Sequence, residues 1–387
     1  MEEIDQKAKT DSSTNSDAYE DDPFSQDQYE VDEITLTVDQ INDLTGDPEC
    51  KIGGVTTHVA LKNPNTYMMA TNLAGFKLIK DGKKLFYFDE LPGDEEYVTQ
   101  MIYIDHLDCF LMYLSSGDTI WRKDIDWNLH YKYMSFKDTS SSSFAYFRPI
   151  FEYSKINQRL IVDMRKGIGI IDLDRKQIEF EAIKETGGPS LAFKVFGELE
   201  ERVISLTNDG YFQLYTLNYA LKKVCSVSSS YIGDICSELE DREDPKKDRF
   251  SIAVCDKNKY AIVSRGHWQL RHYNVAVFQI RGNELVYKAD LTLNYPEQHS
   301  SNDIRAISSF GYVGKHLLWI GLADREAQVY DYNTEKEELR YLEEKTVNHG
   351  DWQCYQMFRS GHQFFYGGRD GKFMRLTVNT EKYCTLI

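Results

Sequence analysis

Residues 323–336 read ADREAQVYDYNTEK, and this stretch contains the pattern that decides the fold. A polar turn, Ala323–Glu326, precedes an apolar strand, Ala327–Tyr332, and a charged turn over Asp331–Lys336 ends that strand. β-Branched and aromatic residues favour strands, whereas Gly, Asn and Asp favour tight turns because they tolerate positive φ. The stretch is therefore typical of a strand in an antiparallel sheet, held between two short turns.

The same unit recurs along the chain. A polar turn followed by an apolar strand occurs at seven places, spaced about 49 residues apart on average. These turns lie at 72–75, 115–118, 164–167, 207–210, 264–267, 323–326 and 368–371. The tetrapeptide Asn-Thr-Glu-Lys also occurs at 333–336 and again at 379–382, in matching places of the last two units. A fixed period of this length predicts a repeat architecture.

Each unit supplies about four short strands. The innermost strands are predicted at 55–61, 98–104, 147–151, 191–196, 250–254, 304–310 and 353–358. One such sheet has two apolar faces that it cannot cover alone, whereas seven sheets packed radially bury those faces against their neighbours. We therefore predict an all-β fold with a single domain over residues 54–387, although the length of 387 residues alone would suggest two or three domains.

The period, the placement of the turns and the strand ends identify a resemblance. Strand ends such as Ile171-Asp172-Leu173 and Tyr330-Asp331-Tyr332 are similar to those of the WD40-like β-propeller family, over about residues 54–387. Two family features are absent, because no Trp-Asp dipeptide closes a repeat and Gly266-His267 and Gly361-His362 fall inside hairpins. The chain thus resembles a degenerate, seven-bladed WD40-like propeller.

Two segments could close the predicted ring. The last unit could be completed by Tyr383–Ile387, which we favour because residues 379–382 already form a turn. Alternatively, Glu33–Val38 alternates like a strand and could pair with the outer edge of the last sheet. On the first assignment, Glu33–Val38 is an added edge strand or part of a linker over residues 33–53.

The net charge of −17 is concentrated at the N-terminus. Residues 1–50 contain 16 Asp and Glu but only two Lys, so the rest of the chain is nearly neutral. Residues 1–32 have almost no aliphatic side chains and are predicted to be a disordered acidic tail, either solvating or a docking or phosphorylation segment. Such a tail repels phosphates, which weighs against nucleic acid as the main ligand.

A polar insertion separates the fourth and fifth units. Residues 227–248 are rich in Ser and acidic residues and end in Lys246-Lys247. The composition predicts a mobile surface loop, with partner docking as the alternative. Adjacent acidic pairs elsewhere, such as Glu200-Glu201, are predicted to lie in solvated turns rather than to form an acid–base pair.

The sequence contains none of the common catalytic or cofactor motifs. It has no nucleophile elbow, phosphate-binding loop, dinucleotide fingerprint or zinc-binding motif. The seven Cys have no metal spacing, and His267 and His272 would face opposite sides of a strand. We therefore predict no catalytic residues, no cofactor and no metal. Without a secretory signal or a spanning apolar stretch, a cytoplasmic location with reduced thiols is expected, with the nucleus as the alternative.

One set of basic residues has a physical rationale as a binding site. The turns between the second and third strands of each propeller sheet reach the same face, which would bring together Arg165, Lys166, Arg265, His267, Arg325 and Arg369. Arginine presents a planar fork that fits carboxylate or phosphate. This predicted arginine arc would receive an acidic or phosphorylated peptide, with the protein's own tail as one candidate. The alternative is that turns favour polar residues and that nearby Asp and Glu neutralise the arginines.

The resemblance implies a non-catalytic intracellular scaffold or adaptor that binds other proteins through its faces and rim, as a subunit of a complex. The alternative is a propeller enzyme or small-ligand binder at the mouth of the central channel. There, His58, Asp105 and His106 are the exceptions on otherwise apolar or hydroxyl-bearing inner strands.

Overall fold

The structure is a computed structural model. It describes residue 31 and residues 34–43, 55–61, 66–71, 76–80, 83–88, 97–114, 119–124, 130–135, 151–164, 167–173, 190–207, 211–217, 221–227, 248–255, 259–267, 272–294, 306–323, 326–348, 357–360, 363–367 and 372–379. No helix in these residues is long and apolar enough to cross a membrane.

The described strands form seven antiparallel sheets. The first sheet contains β2 (Val55–Ala60), β3 (Thr66–Thr71), β4 (Phe76–Lys80) and β5 (Lys83–Phe88). The second contains β6 (Val98–Ile104), β7 (Cys109–Leu114), β8 (Thr119–Asp124) and β9 (His130–Ser135). The third contains β10 (Phe151–Ser154), β11 (Arg159–Met164) and β12 (Gly167–Asp172), and the fourth contains β13 (Ser190–Phe196), β14 (Arg202–Thr207), β15 (Phe212–Leu217) and β16 (Leu221–Val227).

The remaining three sheets follow the same order. The fifth contains β17 (Asp248–Cys255), β18 (Tyr260–His267), β19 (His272–Arg281) and β20 (Glu284–Asn294). The sixth contains β21 (Ala306–Val313), β22 (His316–Leu322), β23 (Glu326–Asn333) and β24 (Glu338–Asn348). The seventh combines β25 (Met357–Ser360), β26 (Gln363–Gly367) and β27 (Lys372–Asn379) with β1 (Thr35–Asp43).

The sheets contact one another in a closed order. The first strands of successive sheets touch in sequence from β2 through β6, β10, β13, β17 and β21 to β25, and β26 of the last sheet contacts β2 of the first. The predicted all-β ring of similar sheets is therefore confirmed. The described sheets agree with seven blades, and that count stays a prediction because stretches such as residues 136–150 lie outside the described residues.

The hydrophobic core lies between neighbouring sheets. Trp319 and Tyr330 of the sixth sheet pack with Ile262 and Val277 of the fifth in one continuous buried cluster. A similar cluster joins the fourth and fifth sheets, where the rings of Phe212 and Phe278 lie 4.7 Å apart. Each sheet thus buries its two apolar faces against its neighbours, so that turns and strand edges form most of the exposed surface.

The ring is closed by the N-terminal strand. β1 pairs with β27 in register from Thr35 opposite Asn379 to Asp43 opposite Lys372. Because β26 occupies the other edge of β27, β1 takes the place of the fourth strand that we assigned to residues 383–387, and our favoured closure is wrong. Residues 383–387 lie outside the described residues. The alternation of Glu33–Val38 indicated the correct partner. The turn predicted at 379–382 did not discriminate between the two closures, since a turn can follow either an edge strand or an inner strand.

Two further predictions need correction near the N-terminus and in the fifth sheet. Val31 and Ile34 are buried in the core between the sixth and seventh sheets, so packing already begins inside the predicted tail 1–32. The turn predicted at 264–267 is the end of β18, where Arg265 pairs with Asn274 and His267 pairs with His272. Residues 1–30, 147–150 and 228–247 lie outside the described residues.

Candidate protein-interaction surface

The predicted arginine arc cannot be assembled from described side chains. Arg165, Lys166, Arg325 and Arg369 lie outside the described residues, and only the backbone of Arg265 and His267 is described. These two residues belong to a strand and not to the turn that we expected, because Gly266 between them pairs with Arg249 and Tyr273 in the sheet. The arc stays a prediction.

A second group of turns, at the opposite end of the strands, is described with its side chains. These are the turns between the first and second strands of the second, third and fourth sheets: residues 105–108, 155–158 and 197–201. We call them together the acidic turn surface. Its backbone depends on left-handed conformations, with φ of 50° at Asp108 and 52° at Gln158. Such values are uncommon for residues other than glycine and are found mainly in tight turns.

Gly197 determines the shape of the third turn. Its φ is +115°, which residues other than glycine rarely adopt. A Cβ atom at this position would lie 2.2 Å from the carbonyl oxygen of Glu200. Only glycine therefore allows the chain to turn here, which positions the next three residues, Glu198, Leu199 and Glu200, on the surface.

A buried carboxylate fastens the second and third turns to each other. Glu201 is 5% exposed. Its side chain accepts hydrogen bonds from the Ser154 hydroxyl, from the Ile156 amide at 3.2 Å and from the Asn157 side-chain amide at 2.8 Å. Its own carbonyl accepts a hydrogen bond from the Leu217 amide at 3.0 Å. The sequence prediction of a solvated acidic pair is thus wrong for Glu201, although Glu200 is exposed.

Aromatic side chains fasten the first turn to the second. The rings of His106 and Tyr153 are stacked with their centroids 5.8 Å apart, and the Tyr153 hydroxyl lies 2.6 Å from His106 Nδ1. The Tyr103 hydroxyl donates to the Asp108 carboxylate. Burial, followed by this hydrogen bond to Asp108, raises the pKa of Tyr103 well above its ordinary value, so the hydroxyl stays protonated and remains a donor.

Two apolar side chains extend from these fastened turns into solvent. Leu199 is 96% exposed and Ile156 is 47% exposed. The amide of Ile156 donates to the Glu201 carboxylate, and Leu199 lies in the turn that ends at Glu201. Apolar groups on ordered backbone can be buried by a partner with little loss of conformational entropy. The sequence Glu198-Leu199-Glu200 places a leucine between two acids. That pattern alone does not separate a binding residue from an ordinary surface leucine, because it does not give the exposure of the side chain.

The described inner strands use their polar side chains to join sheets. The Gln100 side chain donates to the Phe151 carbonyl at 2.9 Å and accepts from the Phe151 amide at 3.3 Å. Lys194 and Glu152 form an ion pair of 3.0 Å between β13 and β10. Of the three residues noted at the channel mouth, Asp105 and His106 belong to the turn at 105–108, and the side chain of His58 lies outside the described residues.

A buried charged group in the sixth sheet was not anticipated. Asp331 is fully buried and contacts His316 Nδ1 at 2.7 Å and the Arg340 guanidinium at 2.6 Å. The pattern Tyr330-Asp331-Tyr332 indicated only a strand end. The three residues lie on adjacent strands, β22, β23 and β24, so this group fixes their register. In the part of the chain that the structure describes, no cluster of three or more metal-ligating side chains occurs.

Comparisons with known proteins identify the fold. No family model and no curated protein matches the sequence significantly. Among solved structures, 938 chains match, so the architecture is common. Two of them are described as the structure of U3-55K and the crystal structure of RRP9 WD40 repeats, each with a TM-score of 0.57, 9% identity and coverage of 89% of this chain and 98% of that chain.

These similarities establish the fold. At 9% identity they show the fold alone. The closed order of antiparallel sheets agrees with them, since packed sheets around an axis are the defining feature of propellers. The chain has the fold of a WD40-like β-propeller, as the repeat pattern indicated.

Proposed function

We propose that this protein is a non-catalytic scaffold that binds other proteins through its turn surfaces. The observation that carries the proposal is Leu199, which is 96% exposed on a turn held by the buried Glu201 carboxylate. A large apolar side chain on ordered backbone contributes nothing to the core, yet it offers contact area to a partner.

The fold supports the same function. Because the sheets bury their faces against one another, turns, rims and strand edges are the surface left for recognition. Two polar side chains on the described inner strands, those of Gln100 and Lys194, bond across sheet boundaries. These engaged groups favour a rigid support over a reactive channel mouth.

The arginine arc is a second binding surface in this proposal. Arg265, Arg325 and Arg369 come from consecutive sheets, and an acidic or phosphorylated peptide suits their charge. The acidic residues of the tail at 1–30 have the matching sign. We place the protein in the cytoplasm, with the nucleus as the alternative, as one subunit of a larger complex.

Quantitative affinity capture tests the proposal. The tagged full chain should recover one or more proteins at near-stoichiometric amounts, and Leu199→Asp should reduce at least one of them about tenfold. Thr35→Asp is the matched control because it adds the same charge at an exposed position of the seventh sheet, which carries none of the three turns. Recovery of the chain alone, together with thermal stabilisation by a small metabolite, would instead support a ligand binder or enzyme.

The arginine arc has its own test in the same assay. Reversal of Arg265, Arg325 and Arg369 to Glu should release any acidic or phosphorylated partner while it leaves partners of Leu199 bound. Unchanged recovery of every partner from this triple variant would eliminate the arc as a site.

A further inference from the structure

We propose that the acidic turn surface binds a basic segment of another protein that carries a bulky apolar side chain. This inference rests on the proposed scaffold function and adds the chemistry of the partner. It is argued from the charge of the surface, its two exposed apolar side chains and the charge of the chain segments outside the structure.

The exposed charge of the surface is mainly negative. Asp105, Asp108, Glu198 and Glu200 are all exposed, whereas Lys155 is the exposed cation within the three turns. Glu200 lies 3.9 Å from Arg202, but that guanidinium also donates to the carbonyl of Gly282, so its charge is shared with the next sheet. Lysine or arginine side chains are the complementary groups, and such complementarity accelerates encounter and selects the partner.

The apolar side chains lie among these acids. Leu199 is flanked in sequence by Glu198 and Glu200. Ile156 lies in the neighbouring turn, and its amide donates to Glu201, the last residue of the turn that contains Leu199. A ligand of this surface must therefore contact apolar side chains and pair with carboxylates that lie close to them. Arginine and lysine with an adjacent leucine, isoleucine or aromatic residue satisfy both requirements, since a central apolar anchor with a charged rim is typical of protein interfaces.

The two longest segments outside the described residues have the wrong charge for this site. Residues 1–30 contain ten acidic residues and two lysines. Residues 228–247 contain six acidic residues and three basic ones. Like charges repel, so neither segment suits the surface, and anionic lipids and nucleic acids are disfavoured for the same reason. The occupant that the observations favour is a separate protein.

Peptide binding to the full chain tests the inference. The probes are three immobilised libraries of 12-residue peptides: Lys/Arg-rich peptides with one Leu or Phe, the same peptides with Ser at that position, and Glu/Asp-rich peptides with Leu or Phe. We expect the first library alone to be enriched, with binding that weakens as NaCl is raised because the charges are exposed.

Surface variants locate the binding. Leu199→Ser and the double variant Glu198→Lys/Glu200→Lys should each weaken the enriched peptides about tenfold. Glu343→Lys/Glu344→Lys is the control, since it reverses two exposed acids on the sixth sheet. Equal thermal unfolding midpoints would show that every variant is folded, as expected for exposed positions.

The outcomes separate this inference from the scaffold proposal. No enrichment, preference for the acidic library, or full binding by both surface variants would overturn the inference. If protein partners are nevertheless captured by the full chain, the scaffold proposal stands and only the assigned partner chemistry fails. If neither peptides nor proteins are retained, both proposals fail.

Discussion

Glu201 shows how one residue organises a surface of this molecule. Its carboxylate is buried and receives donors from Ser154, Ile156 and Asn157 on the neighbouring sheet. A buried acceptor of several hydrogen bonds cannot be removed without leaving those donors unpaired. The residue therefore stabilises the fold and at the same time fixes the turns that display Leu199 and Ile156.

Replacement of Glu201 measures this contribution. We expect Glu201→Ala to lower the free energy of unfolding by about 2–3 kcal/mol, because buried donors lose a charged acceptor. Denaturant unfolding of the full chain measures the change. Glu200→Ala is the matched control, since this neighbouring carboxylate is exposed. Its replacement should lower the free energy of unfolding by less than about 0.5 kcal/mol. Equal stability of the two variants would contradict the role of Glu201.

At the scale of the element, β1 is the strand that completes the ring. It pairs along β27, and Arg375 reaches Asp39 at 3.0 Å across this pair. Leu36 packs into the core between the sixth and seventh sheets with Leu318 and Leu376. The first and last parts of the chain are thus joined without a covalent bond, and the ring depends on packing of β1.

Truncation of Leu36 tests the closure. Leu36→Ala should lower the free energy of unfolding by about 2–3 kcal/mol through loss of buried apolar contact. Gln40→Ala on the same strand is exposed and should have little effect. Deletion of residues 1–30 should preserve the midpoint of thermal unfolding, whereas deletion of residues 1–43 should lower it and promote aggregation through the free edge of β27. Identical stability of the two deletions would contradict closure by β1.

The strands themselves were predictable from sequence to different extents. β6 was predicted with its observed bounds, Val98–Ile104, because its apolar and aromatic end is followed at once by the polar residues Asp105 and His106. The prediction ended β18 too early. Gly266 is a residue type typical of turns, but here it pairs on both sides within the sheet. Gly266 pairs with Arg249 and Tyr273 on the two flanking strands, and the composition of residues 264–267 contains no information about that pairing.

The surface was less predictable than the strands. Glu200-Glu201 has the composition of a solvated pair, yet one carboxylate is exposed and the other is buried against the third sheet. That difference arises from Ser154 and Asn157, which lie more than 40 residues away. The repeat period determines which turns share an end of the ring, whereas side-chain partners between sheets need the three-dimensional arrangement.

At the scale of the whole molecule, a closed ring converts separate sheets into one rigid body. Neighbouring sheets share buried clusters, and side-chain pairs such as Lys288 with Glu337 join the fifth sheet to the sixth. A partner that binds turns from three sheets therefore meets a fixed arrangement and loses little entropy to ordering them. This rigidity would serve the scaffold function that we propose.

Hydrogen–deuterium exchange of the full chain, alone and with its captured partner or enriched peptide, tests the central claim most directly. We predict slower exchange of the backbone amides at 155–158 and 197–200 in the complex, with the long edge strand β20 unchanged. Unchanged exchange at both turns in a fully bound sample would contradict the claim that this surface binds the partner.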